Sequence, residues 1–167
     1  MLKPAIFLDR DGVINVDNGY IHKVSDFIWI EGAKKAIRYI NSLDYYAIIV
    51  TNQSGISRGY YSEESVIKLH SYINKKLKEV GANIDDFFYS PFHPDGIISK
   101  YKKNSNLRKP NTGMLELACK KWPIKIENSI LIGDSQTDMQ CAKNFGIDGY
   151  LYNNKETDLF NFIKNII

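Results

Sequence analysis

The chain has 167 residues and carries 22 basic against 19 acidic side chains, for a formal net charge of +3. That length suits one domain, residues 1–167, able to bury its own core, and the charge excess is too small for a dense nucleic-acid-binding face. Only four of the basic residues are arginine: Arg10, Arg38, Arg58 and Arg108. A guanidinium grips phosphate or carboxylate with a planar fork, whereas lysine acts as a point charge, so the placement of those four is informative. The two cysteines, Cys119 and Cys141, are too few for a disulfide framework or a four-ligand zinc site, and their apolar neighbours make them free buried thiols. Met1 to Pro4 lead into a short apolar run that an acidic cluster stops at once. No signal peptide or membrane span is read from it. The expectation is therefore a cytoplasmic monomer with no membrane or nucleic-acid partner.

In chain order, the apolar run Pro4 to Leu8 predicts a buried strand that stops at Asp9. Residues 12–30 have no helical period and contain Gly12, Asn15, Asp17, Asn18 and Gly19, which predicts a long loop or flap. Ala33, Ala36, Ile37, Ile40 and Leu43 recur at helical spacing. Tyr45 to Val50 is a second strand, ending in Thr51-Asn52-Gln53. Ser62 opens a helix whose apolar stripe is Val66, Leu69, Ile73, Leu77 and Val80. Ile84 to Tyr89 is a third strand, and 90–111 is a second long loop, rich in Pro, Asn and Lys. Thr112 is placed to cap a helix bearing Met114, Leu117, Ala118 and Trp122. A fourth strand, Asn128 to Ile132, runs into Gly133-Asp134, followed by a helix from Thr137 to Phe145, a short strand at Tyr150 to Tyr152, and a helix from Glu156 to Ile166. Strands alternating with helices predict an α/β sandwich of three layers with a central parallel sheet.

In such sheets chemistry gathers at the carboxyl ends of the strands. Asp9, Asp11, Thr51, Asn52, Asp134 and Asp138 all fall just past predicted strand ends. Asp9 and Asp11, two residues apart, can face the same way, one as nucleophile and the other handling a proton. Crowded carboxylates need a cation, and with Asp134 they form a hard oxygen set suited to Mg²⁺. Thr51 is positioned to hold phosphoryl oxygens, and Lys109, stiffened by Pro110, to neutralise charge on a transferring group.

Asp9-Arg10-Asp11-Gly12, the Thr51 strand end, Lys109, and Gly133-Asp134-Ser135-Gln136-Thr137-Asp138 resemble the four ordered motifs of the haloacid dehalogenase superfamily of phosphatases. The resemblance implies a Rossmann-like fold. It makes Asp9 the nucleophile of an aspartyl-phosphate intermediate and Asp11 the acid and base. Thr51 and Lys109 would stabilise the phosphoryl group. Mg²⁺ would be held by Asp9, Asp134 and the backbone carbonyl of Asp11, with Asp138 as a further ligand or orienting the others. The gaps between motifs leave room for loops only, so the cap is minimal.

Residues 15–22, Thr51 to Gly59, Ser90 to Asp95 and Arg108 to Met114 are similar to the loops of the heptose bisphosphate phosphatase subfamily. That similarity implies a small sugar-phosphate substrate contacted by Asp17, Asn18, Gly19 and Tyr20 and by Thr51, Asn52, Gln53 and Ser54. Arg108 would recognise the sugar's second phosphate, and Ser135 takes a place where relatives often carry Lys or Arg. Those relatives often hold a structural zinc with three Cys and one His. The corresponding positions here are Ser90, Phe92, Ser105 and Leu107, so no structural zinc is expected, and packing of Phe92 and Leu107 is left to order the loop. Arg10, Arg58 and Arg108 together suggest a positive rim around one anionic substrate. Histidinol-phosphate or another small phosphomonoester is the alternative substrate, and a catalytically silent sugar-phosphate binder the alternative of another class.

Overall fold

The computed structural model describes residues 1–167 as a five-stranded, all-parallel sheet with helices on both faces. The strands are β1 (Ala5–Leu8), β2 (Tyr46–Asn52), β3 (Asp86–Ser90), β4 (Ile130–Gly133) and β5 (Asp148–Leu151), in spatial order β3-β2-β1-β4-β5. The helices are α1 (Ala33–Ser42), α2 (Glu63–Lys78), α3 (Gly113–Lys121), α4 (Gln136–Phe145) and α5 (Leu159–Ile166). Alternation along the strands sorts the core into two halves. Ile6, Leu8, Ala47 and Ile49 pack against Ile37 and Ile40 of α1, Leu69 and Ile73 of α2, and Leu159 and Ile163 of α5. Ala5, Phe7, Ile48 and Val50 point the other way, onto Met114 and Leu115 of α3 and Cys141 and Ala142 of α4.

The chain winds outward from β1 through β2 to β3, then returns to place β4 on the other side of β1. Between β1 and β4 the direction of winding reverses, and a crevice opens at their carboxyl ends. The main chain continues the pairing past both strands: Asp9 N–H donates to the Ile132 carbonyl at 2.9 Å.

Several expected boundaries shift for local reasons. Strand β3 starts at Asp86, because the Asn74 side chain takes both the N–H and the carbonyl of Ile84. Strand β5 begins two residues before Tyr150, where Asp148 pairs with Ile130. Asp158 caps α5 by accepting from Asn161 N–H, so that helix starts after Glu156. Thr112 occupies the cap position of α3 without capping it; its hydroxyl donates to Glu116 instead. Val80 and Leu117 are substantially exposed, one beyond the end of α2 and the other on the outer side of α3. Ser62 caps α2 as expected, accepting from Ser65 N–H.

The 90–111 loop is held partly by packing, with Phe92 against Tyr101 and Leu107 against the α3–α4 core. Polar ties absent from the sequence reading add to it. Both oxygens of Glu63, in the first turn of α2, accept phenol hydrogen bonds, from Tyr89 at 2.8 Å and Tyr101 at 2.5 Å. Those two bonds, the Tyr101 one foremost, hold the Glu63 carboxyl below the usual range. The Ser57 carbonyl accepts from Ile97 N–H and Ile98 N–H. No helix is long and apolar enough to cross a membrane.

Candidate active site

The strand ends deliver four carboxylates and one ammonium to the crevice. Asp9 and Asp11 follow β1, Asp134 and Asp138 come from the β4–α4 turn and first helical turn, and Lys109 enters from the 90–111 loop. Asn52 at the end of β2 places Lys109: its side chain accepts from Lys109 N–H and donates to the Lys109 carbonyl, both at 3.0 Å. The Lys109 ammonium has three N–H bonds to give and three acceptors in reach: the Val50 carbonyl at 2.8 Å, Asp138 Oδ1 at 2.6 Å and Asp9 Oδ1 at 3.1 Å. Burial opposes its charge, but the two carboxylates outweigh that and raise its pKa, so it stays an ammonium. The other oxygen of Asp138 accepts from Ser135 N–H and Oγ, closing a capping box on α4.

Asp11 is fixed by three donors. Arg10 Nη2 at 2.8 Å and Asn15 Nδ2 at 3.0 Å reach Oδ1, and Gln53 Nε2 at 3.0 Å reaches Oδ2. Arg10 is fully buried beneath it, so this arginine is no part of a positive rim: its charge is spent on holding Asp11. Asn15 as a support for Asp11 was not legible, since a flap asparagine reads as a turn residue.

The cleft itself measures about 280 Å³. Asp9, Asp11, Asp17, Asn52, Arg108, Lys109, Asp134, Ser135 and Asp138, all singled out in the sequence, line it together with Thr137, which was not. Thr137 lies in the first turn of α4, and its spacing from Asp134 was the available signal. Asn18, Gly19, Tyr20, Gln53 and Ser54 are outside that lining. Gln53 is buried, bonded to Asp11, to Thr51 Oγ1 and to the Tyr61 hydroxyl. Thr51 is closed from solvent next to it. Tyr20 stands on the outer flap, edge-on to Tyr60 with ring centroids 4.8 Å apart.

Ligand oxygens of Asp9, Asp134 and Asp138 come within 4.8 Å of one another. Burial first, then the neighbouring carboxylates, push the Asp9 carboxyl up against the pull of Lys109, and burial followed by Asp138 raises Asp134. Asp9, Asp11, Asp134 and Asp138 share only two buried cations, Lys109 and Arg10. The set is short of positive charge by about one dication, and its donors are all hard oxygens, which fits Mg²⁺. Gly12 makes the crowding possible. Its φ of +84° suits glycine, and a Cβ there would lie 2.0 Å from Asp134 Oδ2. Gly12→Ala is therefore expected to displace Asp134 and lower kcat/KM about 100-fold, with an unchanged far-ultraviolet spectrum showing that the sheet persists.

Residues 106–159 match the HAD-hydrolase-like family model. A D-glycero-beta-D-manno-heptose-1,7-bisphosphate 7-phosphatase of Rhodopseudomonas palustris is 40% identical over 165 residues, 99% of this chain and 91% of that one. The chain belongs to the haloacid dehalogenase-like phosphatases. The Photorhabdus laumondii enzyme named for the alpha-configured heptose bisphosphate is 45% identical over 84% of this chain and 77% of its own. Among solved structures, a D,D-heptose 1,7-bisphosphate phosphatase from B. bronchiseptica, in complex with magnesium and phosphate, superposes with a TM-score of 0.83 at 27% identity, covering 99% of this chain and 98% of that one. As a member of this family the protein is a phosphoric monoester hydrolase.

Proposed function

We propose that the protein removes the 7-phosphate of a D-glycero-D-manno-heptose 1,7-bisphosphate, using all 167 residues as one catalytic unit with loops in place of a cap domain. The observation that carries this reading is a second cationic site on the same cleft. Arg108 faces the cleft, Arg58 is close enough to press its pKa down after burial has done so, and Arg108 Nη1 and Arg58 Nε are buried without a partner. Two guanidiniums that lack a carboxylate are suited to an anion from outside, as the distal phosphate of a bisphosphate would be. The names of the relatives supply the heptose. The three donors holding Asp11 favour a fixed direction for its carboxyl.

In this reading Asp9 Oδ bonds to phosphorus as the bond from phosphorus to the sugar oxygen breaks, and the Asp11 carboxyl gives its proton to that oxygen. Water then attacks phosphorus, its proton returns to Asp11, and the bond to Asp9 breaks to free phosphate. Lys109 offsets the negative charge throughout. Mg²⁺ held by Asp9, Asp134 and the Asp11 carbonyl would supply the missing positive charge and relieve repulsion between Asp9 and the phosphate dianion. Asp138 is committed to Lys109 and Ser135, which makes it the residue that aims the ammonium.

The test is turnover of both anomers of the bisphosphate, of heptose 7-phosphate and of histidinol phosphate, by the wild type and Arg108→Ala. Loss of the fork is expected to raise KM for the bisphosphate about 10- to 100-fold and to leave the monophosphate unaffected. Equal losses on both substrates would remove the distal-phosphate role, and faster turnover of histidinol phosphate by the wild type would replace the substrate.

A further inference from the structure

Arg10 is a fully buried arginine with one carboxylate partner, and its other contacts are neutral. Nη2 donates to Asp11 Oδ1 at 2.8 Å and to the Ile21 carbonyl at 2.5 Å, while Nη1 lies 3.3 Å from Nε2 of His70 on α2. Arginine can only donate, so Nε2 must be the acceptor and the ring proton must sit on Nδ1. The imidazole is held for that task. It is 5% exposed, lies flat on Phe87 at 4.6 Å with planes 19° apart, and meets Tyr89 at 6.3 Å. It also lines a separate cleft between α2 and β3, among Ser71, Asn74, Lys75 and Lys78. Burial first and the Arg10 charge second keep it neutral.

We infer that His70 is a positioning residue for the proton-transfer step: as a neutral acceptor it fixes the Arg10 guanidinium, which in turn fixes the direction of the Asp11 carboxyl. The inference rests on Asp11 being the acid and base of the proposed reaction. A guanidinium is a rigid plane, so a bond at Nη1 sets where Nη2 points. Arg10 Nε has no partner, which leaves Nη1 and Nη2 as the only anchors of the plane. Asn15 and Gln53 also bind Asp11, but only Arg10 links it to a residue on α2. Without the acceptor on His70, the guanidinium can pivot about its Nη2 bonds, and Asp11 loses its fixed bearing on the leaving oxygen.

The decisive comparison is His70→Gln against His70→Met. The two side chains have similar length and volume; only Gln offers a hydrogen-bond acceptor of comparable strength. A positioning role is felt where the leaving group needs a proton. For an alkyl phosphate, kcat/KM of the Met variant is expected to fall about tenfold or more, mainly in kcat, with Gln restoring it to within about threefold of wild type. For p-nitrophenyl phosphate, whose phenolate leaves unprotonated, kcat/KM stops at phosphoryl transfer and so excludes the later water step that also uses Asp11; there all three proteins are expected to agree within about threefold. Equal losses of kcat/KM on both substrates, or Gln no better than Met, would overturn the inference. If the Met variant is insoluble, His70→Leu takes its place in the same comparison. Heptose bisphosphate is the first ester to use; should the wild type prefer another alkyl phosphate, the substrate reading fails and the His70 comparison is run on that ester. Asp9→Asn serves as the control that the measured hydrolysis is this site's own.

Discussion

Lys109→Met is expected to stop turnover and to destabilise the fold by about 3–5 kcal/mol, the range for removing one partner of a buried ion pair. The ammonium is 2% exposed and satisfies Asp9, Asp138 and the Val50 carbonyl at once. Met keeps the volume and the apolar stem but leaves two carboxylates facing each other in a closed space. Burial already raises the Asp9 carboxyl, and Lys109 is the main force lowering it. Without Lys109 the folded variant binds a proton at Asp9 in a pH range where its unfolded chain has released it. The deficit in stability is thus largest at neutral pH and shrinks as pH falls toward the ordinary carboxylate range. Urea unfolding of wild type and variant at two pH values checks both the size and the sign. A midpoint unchanged from wild type at neutral pH would mean that the ion pairs carry no net stability.

Asp9→Asn gives the opposite pairing of effects. Hydrolysis of every phosphomonoester is expected to fall by about 10⁴-fold or more, because a carboxamide is no nucleophile. The fold is expected to keep its stability within about 1 kcal/mol. Asparagine is nearly the same shape, its carbonyl can still accept from Arg10 N–H, and Lys109 retains Asp138 and Val50. Removing one of several crowded anions also relieves the desolvation that raises Asp9. Phosphate release and a thermal melt on the same sample separate the two effects. Activity close to wild type would end the role of Asp9 as nucleophile.

The sheet, its strand ends and the acidic cluster are legible in the sequence, because a buried parallel strand followed by a carboxylate is a local pattern. Asp9, Thr51 and Asp134 could be placed from the few residues before them. What escaped was set by contacts between segments distant in the chain. Arg10 reads as part of a positive rim around the substrate; in the fold it is buried and meets His70, sixty positions away. Gln53 looked like a substrate contact, yet Tyr61 and Asp11 draw it inward. Glu63 is not singled out at all, since nothing in its neighbourhood announces Tyr89 and Tyr101. The Thr112 cap failed for a smaller reason: Glu116 one turn later competes for the same hydroxyl.

The Glu63 clamp has a consequence for how the enzyme tolerates its surroundings. The loop that presents Arg108 and Lys109 is fastened to α2 by one carboxylate and two phenols, groups that neither a chelating agent nor a mild oxidant attacks. The fastening of this loop is therefore independent of metal supply and of thiol redox state. In the proposed mechanism, removing divalent ions stops hydrolysis while these ties stay in place, ready to work again when the ions return.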